Sequence, residues 1–403
     1  MEYNLTEILF VSSLLLLISI LISKPSTNYG IPSLLVFLGI GMLFGNGGKY
    51  DFYFNAPKFS EALGGVALSF ILFSGGLETR WTYIKNILPE GISLATIGVF
   101  LSVFIAGSLI HITTHFTFIE SLLIGSIISS TDSAAVFSIM KTGKFRLKEN
   151  ITKTLELESG CNDPMAYFLT ISFSKMIMNG SNNFLILFPT FLIQMSMGFI
   201  IGILFGKLSL YILKNINLAN KGLYPVLMIS LVTLAFSSAN FVQGSGFLAV
   251  YIMGIIIGNG DFSEKYDIIH FFQGVSWFMQ ITMFLVLGLQ VFPNQMLPFL
   301  GKGLLIAGIS LFIARPLSVF SVYALSKASW RKKTFISWVG LKGATPIVFA
   351  IYPAILGLKN ADDIFNIVFF VVLASVLIQG STINLLANKL KLIITESNET
   401  LKE

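Results

Sequence analysis

The sequence predicts an all-α polytopic membrane protein of about thirteen transmembrane helices, built as two inverted-topology repeats. Three observations predict it. The 403 residues are 54% hydrophobic and only 11% charged, with a mean hydropathy of +0.81, whereas soluble domains carry about 25% charged residues. Apolar stretches of about 20 residues, the length that crosses a bilayer, recur from end to end. Lysine and arginine crowd into alternate connections between those stretches. A transmembrane β-barrel would show segments of about ten alternating residues instead.

Gly, Pro, Asn and charge clusters cut the chain into spans near 5–23, 31–46, 62–79, 90–110, 119–140, 152–176, 184–213, 223–242, 246–258, 269–290, 299–326, 334–355 and 361–388. The first run, Leu5 to Ser23, lacks a basic leading region and a small-residue cleavage site. It reads as a retained helix and not as a signal peptide. The ninth span is short.

Orientation follows from the basic residues. One side collects Lys24, Arg80, Lys85, Lys141, Lys144, Arg146, Lys148, Lys153, Lys207, Lys214, Lys221, Lys265, Lys327, Arg331, Lys332, Lys333, Lys389, Lys391 and Lys402; the other receives Lys49, Lys58, Lys302 and Lys359. The N-terminus is therefore expected outside and the C-terminus in the cytoplasm, with the chain in the inner (plasma) membrane. The formal charge of +6 sits at helix ends, so it does not indicate nucleic acid. Cys161 is the single cysteine, which excludes a disulfide framework and a multi-cysteine metal site. Short connections leave one transmembrane domain over 1–391. Repeat one would cover about 5–176, repeat two about 223–388, and 392–403 would form a short cytoplasmic tail.

Two spans are interrupted at mid-depth. The fifth contains Ile128-Ser129-Ser130-Thr131-Asp132-Ser133-Ala134, and the twelfth contains Leu341-Lys342-Gly343-Ala344-Thr345-Pro346. Pro346 cannot donate a backbone hydrogen bond and disfavours helix at Thr345. Backbone freed at that depth must line a cavity or be buried in protein. The fifth and twelfth spans lie an odd number of crossings apart, so they run in opposite directions. That is the arrangement of an inverted repeat with an ion site where broken helices cross.

The chemistry concentrates in Glu158-Ser159-Gly160-Cys161-Asn162-Asp163-Pro164, inside the sixth span. A carboxylate in mid-membrane is costly and marks function by default. Residues three and four apart share a helix face, so Ser159, Asn162 and Asp163 point into one region. A dehydrated K⁺ or Na⁺ needs several hard oxygens. Asp163, Ser159 and the Thr131 hydroxyl or carbonyl can supply them. One carboxylate holds a proton or a cation, not both, and that competition suffices for exchange. Asp132 and Lys342 mark the helix breaks and can offset the partial charges of half-helix ends, with Asp132 also a candidate for the binding site. Arg315 lies in mid-span and needs a buried anion, for which Glu158 is the candidate at matching depth. No cofactor is expected beyond the transported ions.

Three segments carry a resemblance. They are Thr131-Asp132-Ser133-Ala134-Ala135-Val136-Phe137-Ser138, Glu156-Leu157-Glu158-Ser159-Gly160-Cys161-Asn162-Asp163-Pro164-Met165-Ala166, and Gly340-Leu341-Lys342-Gly343-Ala344-Thr345-Pro346-Ile347-Val348. In order and over nearly the whole chain, they resemble monovalent cation/proton antiporters of the NhaP type. Within that type they are similar to the branch named cell volume regulation protein A, a potassium/proton antiporter group. The resemblance implies the inverted-repeat antiporter fold and a homodimer. It implies a cation site at Asp163 with Ser159 and Thr131, Asn162 adjacent, and a Glu158–Arg315 pair in the core. It also implies electroneutral exchange, as expected of an Asn-Asp pair. Lys342 stands where the family usually has arginine, and Ser74 where relatives often carry an acidic residue. The cytosolic regulatory tail common in that branch is absent, so nucleotide or tail regulation is not expected.

Other classes fit less well. An intramembrane aspartyl protease would want a GxGD motif, and Asp163 follows Gly-Cys-Asn instead. A cation channel would want a TVGYG-like filter. A symporter for organic anions would want a free intramembrane base.

Overall fold

The computed structural model describes residues 4–28, 33–47, 53–132, 136, 137, 146–148 and 150–394. The helices are α1 (Leu5–Asn28), α2 (Ser33–Phe44), α3 (Pro57–Glu78), α4 (Leu88–Thr113), α5 (Phe118–Ile127), α6 (Ile151–Met178) and α7 (Phe184–Asn215). They continue as α8 (Leu223–Phe241), α9 (Gly246–Gly258), α10 (Lys265–Gln290), α11 (Pro293–Val322), α12 (Trp330–Trp338), α13 (Thr345–Ile355) and α14 (Ala361–Lys389). Eight of them are long and apolar enough to cross a bilayer: α1, α3, α4, α7, α8, α10, α11 and α14. Helices α2, α5, α9 and α13 are apolar but shorter. Helix α6 is long, and its charges set it apart.

Local sequence explains the helix starts. Thr117 and Glu120 form a reciprocal capping box at α5. Ser245 and Ser329 cap α9 and α12 through their side chains. Pro57 opens α3, where its missing N–H costs nothing.

Helices α2 and α10 approach through glycine, and so do α9 and α3. A Cβ on Gly41 would lie 2.4 Å from the Leu285 carbonyl oxygen and 2.8 Å from Gly288 Cα. A Cβ on Gly254 would lie 2.5 Å from the Phe73 carbonyl oxygen and 3.1 Å from Gly76 Cα. One turn on, Gly45 meets Leu289 and Gly258 meets Leu77 in the same way. Backbones this close leave no room for any side chain, which is the small-residue packing typical of membrane helices. Helix α7 buries little beyond a glycine row, Gly198, Gly202 and Gly206, set against Ser245, Ala249 and Ile256 near and on α9.

Helices α4 and α11 each contain a π-helical turn, at Leu94–Gly98 and Ile309–Ala314. Pro316 has no N–H for the Phe312 carbonyl, which accounts for the second. The turns meet: Ser318 Oγ, just past the second, donates to the Gly98 carbonyl at 2.5 Å.

In the fifth span α5 ends at Ile127; Ile128 and Ser129 turn, Ser130, Thr131 and Asp132 are non-helical, and Val136 and Phe137 are helical again. Residues 133–135 and 138–140 of that expected span lie outside the described residues, as do Lys141 and Lys144. The twelfth span divides into α12 and α13 around a non-helical Gly340-Leu341-Lys342-Gly343. The expected tail opens with a strand: β1 (Arg146–Leu147) pairs antiparallel with β2 (Ile393–Ile394). Lys148 N–H extends the clip to the Leu392 carbonyl at 2.9 Å. Residues 395–403 lie outside the described residues.

Candidate ion-binding site

The two breaks touch. The backbone N–H of Asp132 donates to the Leu341 carbonyl at 2.7 Å, and the Asp132 carboxyl packs on Gly343, where a Cβ would lie 2.3 Å from Oδ2. Only glycine fits there. Helix α14 satisfies groups freed at the second break. Ser375 Oγ accepts from the Lys342 N–H at 2.9 Å and donates to Gln379 Oε1 at 2.6 Å, and Gln379 Nε2 donates to the Trp338 carbonyl. These bonds replace the water that is missing at membrane depth.

Helix α6 grips the first break with a ladder of polar side chains. Ser159 Oγ donates to the Thr131 carbonyl at 2.9 Å. Asn162 Nδ2 donates to Thr131 Oγ1 at 2.5 Å. Ser130 Oγ donates to Asp163 Oδ1. Asp163 is buried, at 6% exposure, and Asn162 is fully so. Pro164, inside α6, cannot donate to the Gly160 carbonyl, so that oxygen loses its helical partner one turn from Asp163.

The expected ion pair forms. Arg315 Nη1 lies 2.5 Å from Glu158 Oε1, with both side chains buried. Gly340 admits the guanidinium: a Cβ there would be 2.8 Å from Arg315 Nε. Arg315 Nη2 also donates to the Ile336 carbonyl at 3.4 Å. Lys342 is buried at 2% exposure, within electrostatic range of Arg315, Glu158 and Asp163.

All eight residues singled out in the sequence thus belong to one connected region, with one rearrangement. Ser159 and Thr131 bond to each other, and the hydroxyl on Asp163 is that of Ser130. Residues 130 and 131 both present oxygens to α6: Ser130 its hydroxyl, Thr131 its hydroxyl and its carbonyl. The sequence also did not single out a second network. Lys332 Nζ lies 2.5 Å from Glu90 Oε1, and the Tyr323 hydroxyl donates to the same oxygen. The sequence groups Lys332 with its basic neighbours at a helix end, yet the side chain is buried. Ser74 is buried on α3.

Crossed helix breaks around a buried carboxylate define a membrane transporter that exchanges cations for protons, and not an enzyme. The chain belongs to the sodium/hydrogen exchanger, transmembrane, family, whose pattern matches residues 12–389. It is 36% identical over 391 residues to the K(+)/H(+) antiporter NhaP2 of Shewanella baltica (strain OS223), covering 96% of this chain and 67% of the relative. It is 37% identical over 395 residues to the K(+)/H(+) antiporter NhaP of Alkalimonas amylolytica, covering 98% and 68%. The solved structure of the sodium proton antiporter MjNhaP1 from Methanocaldococcus jannaschii at pH 8 has the same fold. Its TM-score is 0.80 at 24% identity, covering 94% of this chain and all of that one.

Proposed function

We propose that the chain exchanges one K⁺ or Na⁺ for one proton, electroneutrally, with Asp163 as the carboxylate that both ions share. The observation that carries this reading is the pairing of buried Asp163 with Ser130 beside a non-titrating Asn162. Ser159 and Thr131 hold the first break in place and, with the freed Gly160 carbonyl, put further hard oxygens within reach of a dehydrated cation. Glu158 and Arg315 neutralise each other, and Asp132 and Lys342 support the crossing.

The reading includes thirteen spans, counting α12 and α13 as one and the broken fifth as another. The N-terminus is outside and the C-terminus cytoplasmic, in the inner membrane of a homodimer that serves ion, pH or volume balance. Spans 1–6 and 8–13 form the inverted repeats. The recurring glycine contacts, α2 on α10 and α9 on α3, support that pairing, as do the π-helical turns of α4 and α11. The two K(+)/H(+) relatives favour K⁺ as the first cation to try.

The test is reconstitution into vesicles loaded with a pH-sensitive dye. A pulse of K⁺, Na⁺ or Li⁺ in turn should move protons the opposite way. Cation uptake without proton movement would sink the proposal.

A further inference from the structure

We infer that Glu156, Thr79 and Tyr251 form a second, transient cation station on the cytoplasmic approach to Asp163. The inference rests on the proposed role of Asp163 and on the proposed orientation, and it adds three residues to which no role in transport has been given.

Glu156 lies two helical turns before Asp163 on α6, on the same face and about 10 Å away along the axis. Two elements, α3 and α9, meet over it. Thr79, at the end of α3, donates through Oγ1 to Glu156 Oε1 at 2.8 Å and to the Gly75 carbonyl at 2.8 Å. Tyr251 of α9 lays its ring on Gly160, between Glu156 and Asp163; a Cβ on Gly160 would be 2.3 Å from the ring. The backbone at Thr79 is pinned from α9 as well. Asn259 Nδ2 donates to the Thr79 carbonyl at 2.8 Å, and Asn259 Oδ1 accepts from Trp81 N–H at 2.8 Å.

The Tyr251 hydroxyl is what points to a ligand. Tyr251 is 2% exposed, and its hydroxyl lies beside the Thr79 side chain. The single Thr79 proton is shared between the Glu156 carboxylate and the Gly75 carbonyl, and the tyrosine hydroxyl has no well-formed hydrogen bond of its own. A buried polar group left in this way is costly unless something visits it. Its neighbours are the Glu156 carboxylate and the Thr79 hydroxyl, both hard oxygen donors of the kind a monovalent cation takes.

The surroundings suit transit rather than storage. Glu156 is half-buried, so one side of it remains open. Glu78, at the mouth, is exposed, accepts from Gln273 Nε2 at 2.8 Å, and adds negative potential there. The nearby cation Lys153 lies over the Tyr83 ring, 4.3 Å from its centroid, still within electrostatic range of Glu156. A purely structural Thr79–Glu156 bond between α3 and α6 would affect stability and would have no sidedness in transport.

The experiment uses the intact chain in oriented vesicles and measures the half-saturating K⁺ concentration separately from each face. Glu156→Gln should raise it from the cytoplasmic face by roughly tenfold, the low end of losses seen when a supporting group is taken from a metal site. The value from the outer face should not move. If Glu156→Gln lowers the yield of folded protein, Tyr251→Phe, which removes one oxygen only, must give a shift on the same face. Equal shifts on both faces, or no shift, would overturn the station. Asp163→Asn in the same vesicles reports separately. Retained exchange there overturns the role of Asp163, whereas a symmetric Glu156→Gln result with Asp163→Asn silent overturns the station alone.

Discussion

The backbone N–H of Asp132 donates to the carbonyl of Leu341 at 2.7 Å. This single bond ties the break after α5 to the break before α13, and it uses backbone groups that neither half-helix can satisfy internally. With Gly343 seated against the Asp132 carboxyl, it fixes where Ser130 and Thr131 face α6. The position of Asp163 among oxygens is thus a consequence of how two interrupted helices repair each other.

Asp163→Asn should abolish exchange while leaving the fold intact. An amide fills the same space and accepts from Ser130, but it neither ionises nor releases a proton. Cation-driven proton flux in reconstituted vesicles is the measurement, and retention above about a tenth of wild type would remove Asp163 from the mechanism.

Glu158→Gln and Arg315→Gln should each destabilise the protein by about 3–5 kcal/mol, because each leaves a buried charge without its partner. The double variant should recover part of that loss. Thermal aggregation in detergent of the three variants decides it. Strictly additive losses would mean that the 2.5 Å pair contributes no coupling.

Gly41→Ala and Gly254→Ala should cost similar amounts, on the order of 1–3 kcal/mol each, since each new methyl meets a carbonyl oxygen of the facing helix. Gly39→Ala, where a Cβ meets nothing within 4 Å, should be nearly neutral. Unfolding midpoints in one detergent provide the comparison. A large cost at one site with none at the other would break the proposed equivalence of the two halves.

Exchange should be insensitive to membrane potential. Asp163 is the one titratable group assigned to the shared site, so the loaded site is neutral with either ion. Na⁺-driven flux in vesicles clamped at several potentials with valinomycin and K⁺ tests this, and a permeant-anion clamp serves if only K⁺ is carried. A rate or end point that moves with voltage would require a second charge, with Asp132 the first residue to examine.

Much of this arrangement was legible in the sequence because membrane depth makes polar residues conspicuous. Asp163, Arg315 and Lys342 stand out against apolar neighbours, and Pro346 marks a break by its missing donor. The Glu158–Arg315 pair followed from depth matching alone. Ser130 was not legible, since choosing between Ser130 and Thr131 requires the path of an extended backbone, which helical periodicity does not describe. The pairing of buried Lys332 with half-buried Glu90 was hidden for the opposite reason: a run of basic residues reads as surface, and only the packing of α11, α12 and α4 puts its middle member inside. The glycine contacts were hidden too, because glycine is common in membrane helices and the sequence does not say which ones meet.

The clip between β1 and β2 bears on how the chain is made. Arg146 and Leu147 leave the ribosome long before Ile393 and Ile394, and Asp132 long before Leu341. About 250 residues separate the strands and about 210 the two breaks, which at ~5–20 residues per second is roughly 10–50 s of synthesis. Throughout that interval the first break sits in or near the bilayer without the strand and the carbonyl that complete it in the finished protein. The nascent first half therefore needs a temporary host for its exposed backbone, either bound water or the insertion machinery. Damage to β2 would then register first as a defect in biogenesis, before any defect in transport.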